Sequence, residues 1–302
     1  MRAFFRLTSV LAAFVLTTNV VLAQDKPQVI AVNYPLQYFA ERLLGDAAEV
    51  VYPVPEGVDP SFWRPSIADI SAIQSADLIL LNGAGFATWT SRVSLPRSKL
   101  IDTSRGLADQ FITTESITHS HGEGGEHSHE GTASYTWLDL SMATAQAQAI
   151  ADAIKARELA DATDVDQRMA ELAKELQALD VAAGEALRDA GDIVFIATHP
   201  RYQYFARAYG LTIISLEWEA GAMPGDDELA ELEALAEENG ARVLIWEAEP
   251  PASARDVVAS LGLKDVVFPP LNATSAASQS FAASFSEAVR QLHTAAADAS
   301  PG

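Results

Sequence analysis

The sequence predicts an α/β fold in two lobes, each a parallel sheet flanked by helices, joined by one long backbone helix. Three observations carry this expectation. Short apolar runs alternate with amphipathic helical stretches, the pattern of βα units whose strands are covered on both faces. The alternation breaks at one long stretch of helical spacing and then starts again. A length of 302 residues favours two domains over one.

Residues 1–23 read as a secretory signal. Arg2 and Arg6 give the positive start, 7–16 is largely apolar, and Val21-Leu22-Ala23 supplies the cleavage pattern, with Gln24 as the first mature residue. An uncleaved membrane anchor is the alternative, but the apolar run is short and broken by Thr17, Thr18 and Asn19. No other segment is long and apolar enough to span a bilayer, so the mature protein is expected to be exported and to meet a membrane only through a partner. The chain has no Cys, hence no disulfide and no thiol for a lipid. A chain of this size buries enough core without them.

The N-terminal lobe is expected over 24–160. Strands are expected at 29–32, 50–54, 78–81 and 100–102, where Val, Ile and Leu cluster. A helix at 36–44 is closed by Gly45, and a short one falls at 69–75. Residues 103–134 show no apolar period and read as a loop, after which 138–156 resumes as a helix. The linking helix is placed at 161–190. From 164 onward Val165, Met169, Leu172, Leu176, Leu179 and Leu187 recur at helical spacing, with Asp164 as the expected cap. The C-terminal lobe, 191–302, repeats the alternation. Strands are expected at 193–197, 212–216, 243–246 and 266–268, and helices at 202–209, 226–239, 253–261 and 278–294. A ligand cleft is expected where the strand C-termini of the two lobes face each other.

Composition narrows the function. A formal net charge of -21 excludes nucleic acid, which demands a basic footprint. It suits a receptor for cations, or an acidic surface adapted to salt, since acidity raises local cation concentration without specifying a site. Within the loop, 118–131 holds His119, His121, His127 and His129, four of the six histidines. They are interleaved with Glu123, Glu126 and Glu130 and with flexible Gly and Ser. Neutral imidazole is the commonest ligand for borderline transition metals, so the segment reads as a metal-capturing tract. A solvated low-complexity loop is the rival reading. Such a segment is too flexible for rigid catalysis.

Several motifs together resemble the periplasmic zinc- and manganese-binding receptors of metal ABC importers, over essentially the whole mature chain. Pro55-Glu-Gly-Val-Asp59-Pro60-Ser61-Phe-Trp63-Arg-Pro65, with Asp69-Ile70 and Ala76-Asp77-Leu78 after it, resembles the first ligand loop and the next helix. Asn82-Gly83 continues that match. The acidic His-rich segment leading to Trp137-Leu138-Asp139 resembles the approach to the second ligand. Ala197-Thr198-His199, running into Tyr204-Phe205-Ala206 and Tyr209-Gly210-Leu211, resembles the third, and Glu249-Pro250 matches a motif of the second lobe.

The resemblance implies a metal held between the lobes by three His and a carboxylate or water, with Zn2+ expected ahead of Mn2+. It also implies a permease and an ATPase as partners, a metal chaperone as a further candidate, a monomer, and lobes that move nearly rigidly. Matched residue by residue, only His199 stands where a family ligand stands. Ser61 and Tyr135 take the places of the other two His, and Pro269 that of the carboxylate. Neutral hydroxyl and phenol are poor zinc ligands near neutral pH.

Asp59, Glu217 and Glu219 are the acids able to approach the cleft, although such carboxylates are more often solvated turn or capping residues. If the resemblance holds, Trp63, Tyr135, Trp137, His199, Arg201, Tyr202 and Trp218 can reach it too; the rival reading is that the aromatics fill core volume, as Trp137 at a helix start is expected to do. Among these Asp59, Ser61, Trp63, Tyr135 and Arg201 form a candidate ligand-binding set, suited to a small organic or anionic ligand. The leading expectation is a zinc receptor in which the four loop histidines gather the ion and His199 remains at the cleft. The alternative is the same scaffold turned to a non-metal ligand or a partner protein. An enzyme is not expected: there is no Cys nucleophile, Gly-x-Ser-x-Gly elbow, phosphate loop or His-Glu-x-x-His helix.

Overall fold

Parallel strands at the centre of each lobe grow from nearly uninterrupted apolar runs, as burial on both faces requires. The computed structural model describes residues 26–114, 131–274 and 279–299. The expected signal at 1–23 and the four loop histidines fall outside the described residues.

The first lobe runs β1 (Gln28–Ala31), α1 (Tyr34–Leu44), β2 (Glu49–Val51), α2 (Ile67–Ser75), β3 (Leu78–Leu81), β4 (Leu100–Asp102), β5 (Thr113–Thr114), β6 (Gly131–Thr132) and α3 (Leu140–Ala156). After α4 (Ala162–Ala186) the second lobe runs β7 (Val194–Ala197), α5 (Gln203–Tyr209), β8 (Thr212–Ser215), α6 (Asp226–Asn239), β9 (Val243–Trp246), α7 (Ala252–Ser260), β10 (Lys264–Val267) and α8 (Phe281–Ala299). The first sheet has the order β2-β1-β3-β4 and the second β10-β9-β7-β8, both parallel. Taken from its other edge, the second is β8-β7-β9-β10, so the two lobes are wound alike.

Local chemistry sets the helix starts. Asn33 caps α1 by accepting from the Leu36 amide at 3.1 Å. Ser66 and Asp69 form a reciprocal capping box, which starts α2 at Ile67, two residues ahead of the expected start. The linking helix is capped by Asp161, which accepts from the amides of Thr163 and Asp164. Asp164, the expected cap, lies inside the first turn. α4 ends at Ala186 and passes into a 3-10 turn at Arg188–Ala190.

Other boundaries shift as well. β2 stops at Val51, β10 occupies Lys264–Val267, and α8 starts at Phe281 and runs on to Ala299. Residues 103–134 are not wholly irregular. They hold a 3-10 turn at Arg105–Gln110, and β5 and β6 pair antiparallel, a hairpin neck across the His-rich segment.

One continuous apolar core passes through both lobes. α8 packs on β10 and on α4, and its Phe281 meets Phe39 and Tyr38 of α1 with ring centroids 5.6 and 5.8 Å apart. Phe285, one turn on, meets Phe205 of α5 at 6.2 Å. The Trp137 indole, fully buried, donates to the Pro270 carbonyl of the other lobe at 2.8 Å. A smaller cluster, including Ile196, Leu232, Leu244 and Val258, fills the other face of the second sheet.

Because Asp161 alone carries the cap of α4, Asp161→Ala is expected to lower the unfolding free energy by about 1 kcal/mol. Asp164→Ala, acting only through the helix dipole, is expected to cost about 0.5 kcal/mol or less. Urea unfolding of the two variants checks this. Equal losses would contradict the assignment.

Candidate functional site

In sheets of this winding, ligands meet the carboxyl ends of the two strands where chain direction switches. In the second lobe those are β7 and β9. The chain leaves β7 through Thr198, His199, Pro200 and Arg201, and leaves β9 at Glu247. The first lobe answers with Asp59 and Ser61, from the loop after β2, and Tyr135, from the turn before α3. Asn272, beyond β10, completes the group.

Arg201 is its centre and is buried, with 7% of its surface exposed. Its Nη2 donates to Asp59 Oδ2 at 2.9 Å and its Nε to Glu247 Oε1 at 3.3 Å. The guanidinium carbon lies 4.6 Å from the centre of the Tyr135 ring and 5.6 Å from that of the exposed Phe62. Asp59 Oδ1 accepts from the Ser61 amide at 2.8 Å and from Asn272 Nδ2 at 3.1 Å. The Tyr135 hydroxyl shares a 2.9 Å hydrogen bond with Ser61 Oγ and accepts from Asn272 Nδ2 at 3.4 Å. One guanidinium thus ties a carboxylate of each lobe.

Burial works against the charge on Arg201, yet Tyr135, Glu247 and Asp59 together hold its pKa above the usual arginine value. Burial also raises the Tyr135 phenol well above its usual value, outweighing the nearby guanidinium. Tyr135 is therefore a neutral hydroxyl at any physiological pH.

His199 stands beside this group. Its Nδ1 lies 2.9 Å from the Trp218 carbonyl. A carbonyl only accepts, so Nδ1 carries a hydrogen. Glu247 Oε2, 3.9 Å from that nitrogen, is buried without a hydrogen-bond partner among the described residues. A cavity of about 710 Å³ opens alongside, lined by Tyr34, Asp59, Glu247, Pro269, Leu271 and Asn272 among others.

The expected site residues divide accordingly. Asp59, Ser61, Tyr135 and Arg201 come together, and His199 adjoins them. Trp63 does not line the cleft. Its ring packs edge-on against Trp89 at 5.6 Å in the first lobe. Tyr202 is buried, donating to the Phe268 carbonyl, and Trp218 is buried beside Trp246. Glu217 and Glu219 are exposed and stay out of the network, while Glu247, overlooked in the sequence, supplies the second carboxylate. Its signal was its place directly after the apolar run of β9. An anionic ligand fits poorly, because two carboxylates already outnumber the single guanidinium. His119, His121, His127 and His129 lie outside the described residues.

Zinc needs about four N, O or S donors at close to 2 Å. At the cleft Asp59 and one oxygen of Glu247 are engaged by Arg201, the Nδ1 of His199 by Trp218, and Ser61 and Tyr135 are neutral. Among the described residues no group of three or more His, Cys, Asp or Glu is placed to hold a metal ion. The cleft as built does not fit one.

Fold and cleft define a two-lobed α/β protein whose polar network lies between the lobes. The chain belongs to the ZnuA family, described as zinc-uptake complex component A, periplasmic, which it matches across residues 29–295. That is a family of binding components, not of enzymes. It is 27% identical over 274 residues to the zinc-binding lipoprotein AdcA of Streptococcus pneumoniae, an alignment covering 88% of this chain and 54% of that one. It therefore spans about half the length of that relative. It is also 27% identical over 267 residues to the high-affinity zinc uptake system protein ZnuA of Bacillus subtilis, covering 83% of this chain and 80% of that one. A crystal structure of ZnuA superposes with a TM-score of 0.72 at 25% identity, covering 90% of this chain and all of that one. The metal-dependent lipoprotein YcdH of Bacillus subtilis shares the fold, with a TM-score of 0.76 at 22% identity over 89% of this chain and 99% of that one.

Removing one carboxylate leaves a buried guanidinium half paired. Glu247→Ala is expected to cost about 3 kcal/mol of unfolding free energy, and Glu249→Ala, whose side chain is 74% exposed, less than about 1 kcal/mol. Urea unfolding tests the contrast, and comparable small losses would contradict it. Raised phenol pKa values also set an alkaline limit. The native state keeps the Tyr135 proton after the unfolded chain loses it near pH 10, so stability present below pH 10 falls as pH rises beyond it. A flat unfolding midpoint above pH 10 would count against this burial.

Proposed function

We propose that the protein is the exported, periplasmic solute-binding receptor of a zinc ABC importer, acting as a monomer that carries the ion to a permease and its ATPase. The observation that carries the reading is family membership along residues 29–295, and the described residues that flank the His-rich segment pair as β5 and β6. Zinc-binding relatives named above support the choice of ion. A cleaved signal at 1–23, an N-terminal lobe at 24–160, a linking helix at 161–190 and a C-terminal lobe at 191–302 complete the proposal.

In this reading capture falls to His119, His121, His127 and His129. Their segment leaves and re-enters the fold at β5 and β6. The Tyr204 hydroxyl of α5 donates to the Ala133 carbonyl at 2.9 Å and accepts from the Ile112 amide at 3.3 Å, so the neck is pinned to the second lobe. Tyr135, two residues beyond Ala133, touches the cleft network. His199 is the imidazole that stands beside the cleft network. One observation favours a second reading, a scaffold turned to a non-metal ligand or partner protein: a guanidinium already fills the space between Asp59 and Glu247.

An ion that binds only the folded chain raises its melting temperature. Zinc is expected to raise the melting temperature of the full mature chain and to release heat on titration. Replacing the four loop histidines by Gln is expected to remove most of both effects. Absence of heat and of a melting shift in the unaltered chain would refute the zinc reading. A stoichiometric organic ligand in protein purified from its own periplasm would favour the second.

A further inference from the structure

We infer that Arg201 is the built-in cation of the interlobe cleft: it latches the two lobes together and keeps a divalent ion out of the space between Asp59 and Glu247. The inference rests on the proposed function only for the choice of zinc as the probe.

The geometry is that of a bridge. Asp59 belongs to the first lobe, Glu247 to the second, and Arg201 bonds both while 7% exposed. Two carboxylates that close together repel unless a cation lies between them. A guanidinium suits that role, since it stays charged, is weakly hydrated, and presents donors in a planar fork. Tyr135 supplies a ring face under it at 4.6 Å, a favourable seat for a desolvated cation.

The surrounding residues are neutral and are spent on holding the bridge. Asn272 Nδ2 donates to Asp59 and to the Tyr135 hydroxyl, which shares its other hydrogen bond with Ser61. Asp59 thus has its remaining oxygen directed by Asn272 and the Ser61 amide, leaving Oδ2 aimed at Arg201. Among the described residues no donor set for a second cation is left at the cleft while Arg201 is in place, and a dication would be repelled by it at contact distance.

Removing the guanidinium reverses the situation. Asp59, Glu247 with its unpartnered Oε2, and His199 would then border a vacated cation position, and carboxylate and imidazole are groups that zinc accepts. The same removal cuts the ion pairs between the lobes. Both consequences are measurable without the loop histidines, so failure here is distinct from failure of the zinc-capture reading.

The test uses the full mature chain with His119, His121, His127 and His129 replaced by Gln. That background is expected to take up no zinc at the cleft by calorimetry. Adding Arg201→Ala is expected to create one zinc equivalent that raises the melting temperature and is lost again on His199→Ala. Without zinc, the Arg201→Ala chain is expected to show a larger radius of gyration by small-angle scattering. Arg201→Gln, which keeps bulk and hydrogen bonding, is the second variant should the alanine chain not fold, and is expected to gain zinc binding likewise. A zinc equivalent in the background that His199→Ala abolishes would overturn the inference. So would a folded Arg201→Gln chain that gains no zinc, or an unchanged radius of gyration in the folded variants.

Discussion

The ion-pair bridge from Asp59 through Arg201 to Glu247 is the constraint around which the cleft is organised. A buried guanidinium persists only when its charge is compensated and its donors are used. Here compensation comes from both lobes at once, so the cleft is closed by a group of the protein itself. Ser61, Tyr135 and Asn272 then have a plain role. They are neutral groups whose hydrogen bonds direct Asp59 and fill the space under the guanidinium. The charge that ties the two carboxylates across the cleft is supplied by a side chain of the protein.

The rest of the fold supports a closed pair of lobes. α8 begins against α1 of the first lobe and continues along α4 and the second sheet, so Phe281 and Phe285 belong to a core shared by both. Trp137 adds a buried hydrogen bond to Pro270, and the Tyr34 amide donates to the Asn272 carbonyl at 3.0 Å. Hinged receptors separate their halves by bending a few exposed strands. Here the shared aromatic core limits how far the halves can part, so the Arg201 bridge governs closure of the cleft rather than the joining of the lobes.

Much of the architecture was legible in the residues. The central strands β1, β3, β7 and β9 are unbroken or nearly unbroken apolar tetrads, a pattern that survives without knowledge of their neighbours. Gly210 and Gly240 end α5 and α6 in the left-handed conformation that glycine favours. Asp161 and Asp164 are chemically alike and three residues apart, so only the backbone geometry distinguishes the cap. The start of α8 depends on Phe281 reaching α1, a contact between parts of the chain far apart in sequence.

The site was legible in part. Ser61, Tyr135 and His199 were visible because they fall where the resemblance puts ligands, and Asp59 and Arg201 because each stands two residues from one of them. What Arg201 does there was not, because its partners lie 142 and 46 residues away. Glu247, which follows β9, was passed over for Glu217 and Glu219, which follow β8, and burial is what separates them. Trp63 was drawn away by Trp89, whose 3-10 turn (Thr88–Ser91) had no periodic signature. The most direct measurement is diffraction at the zinc absorption edge from crystals of the mature chain grown with excess zinc. The expected result is no anomalous peak between Asp59 and Glu247, with Arg201 still bonded to both. A peak coordinated by His199 at that position, with Arg201 displaced, would contradict the latch.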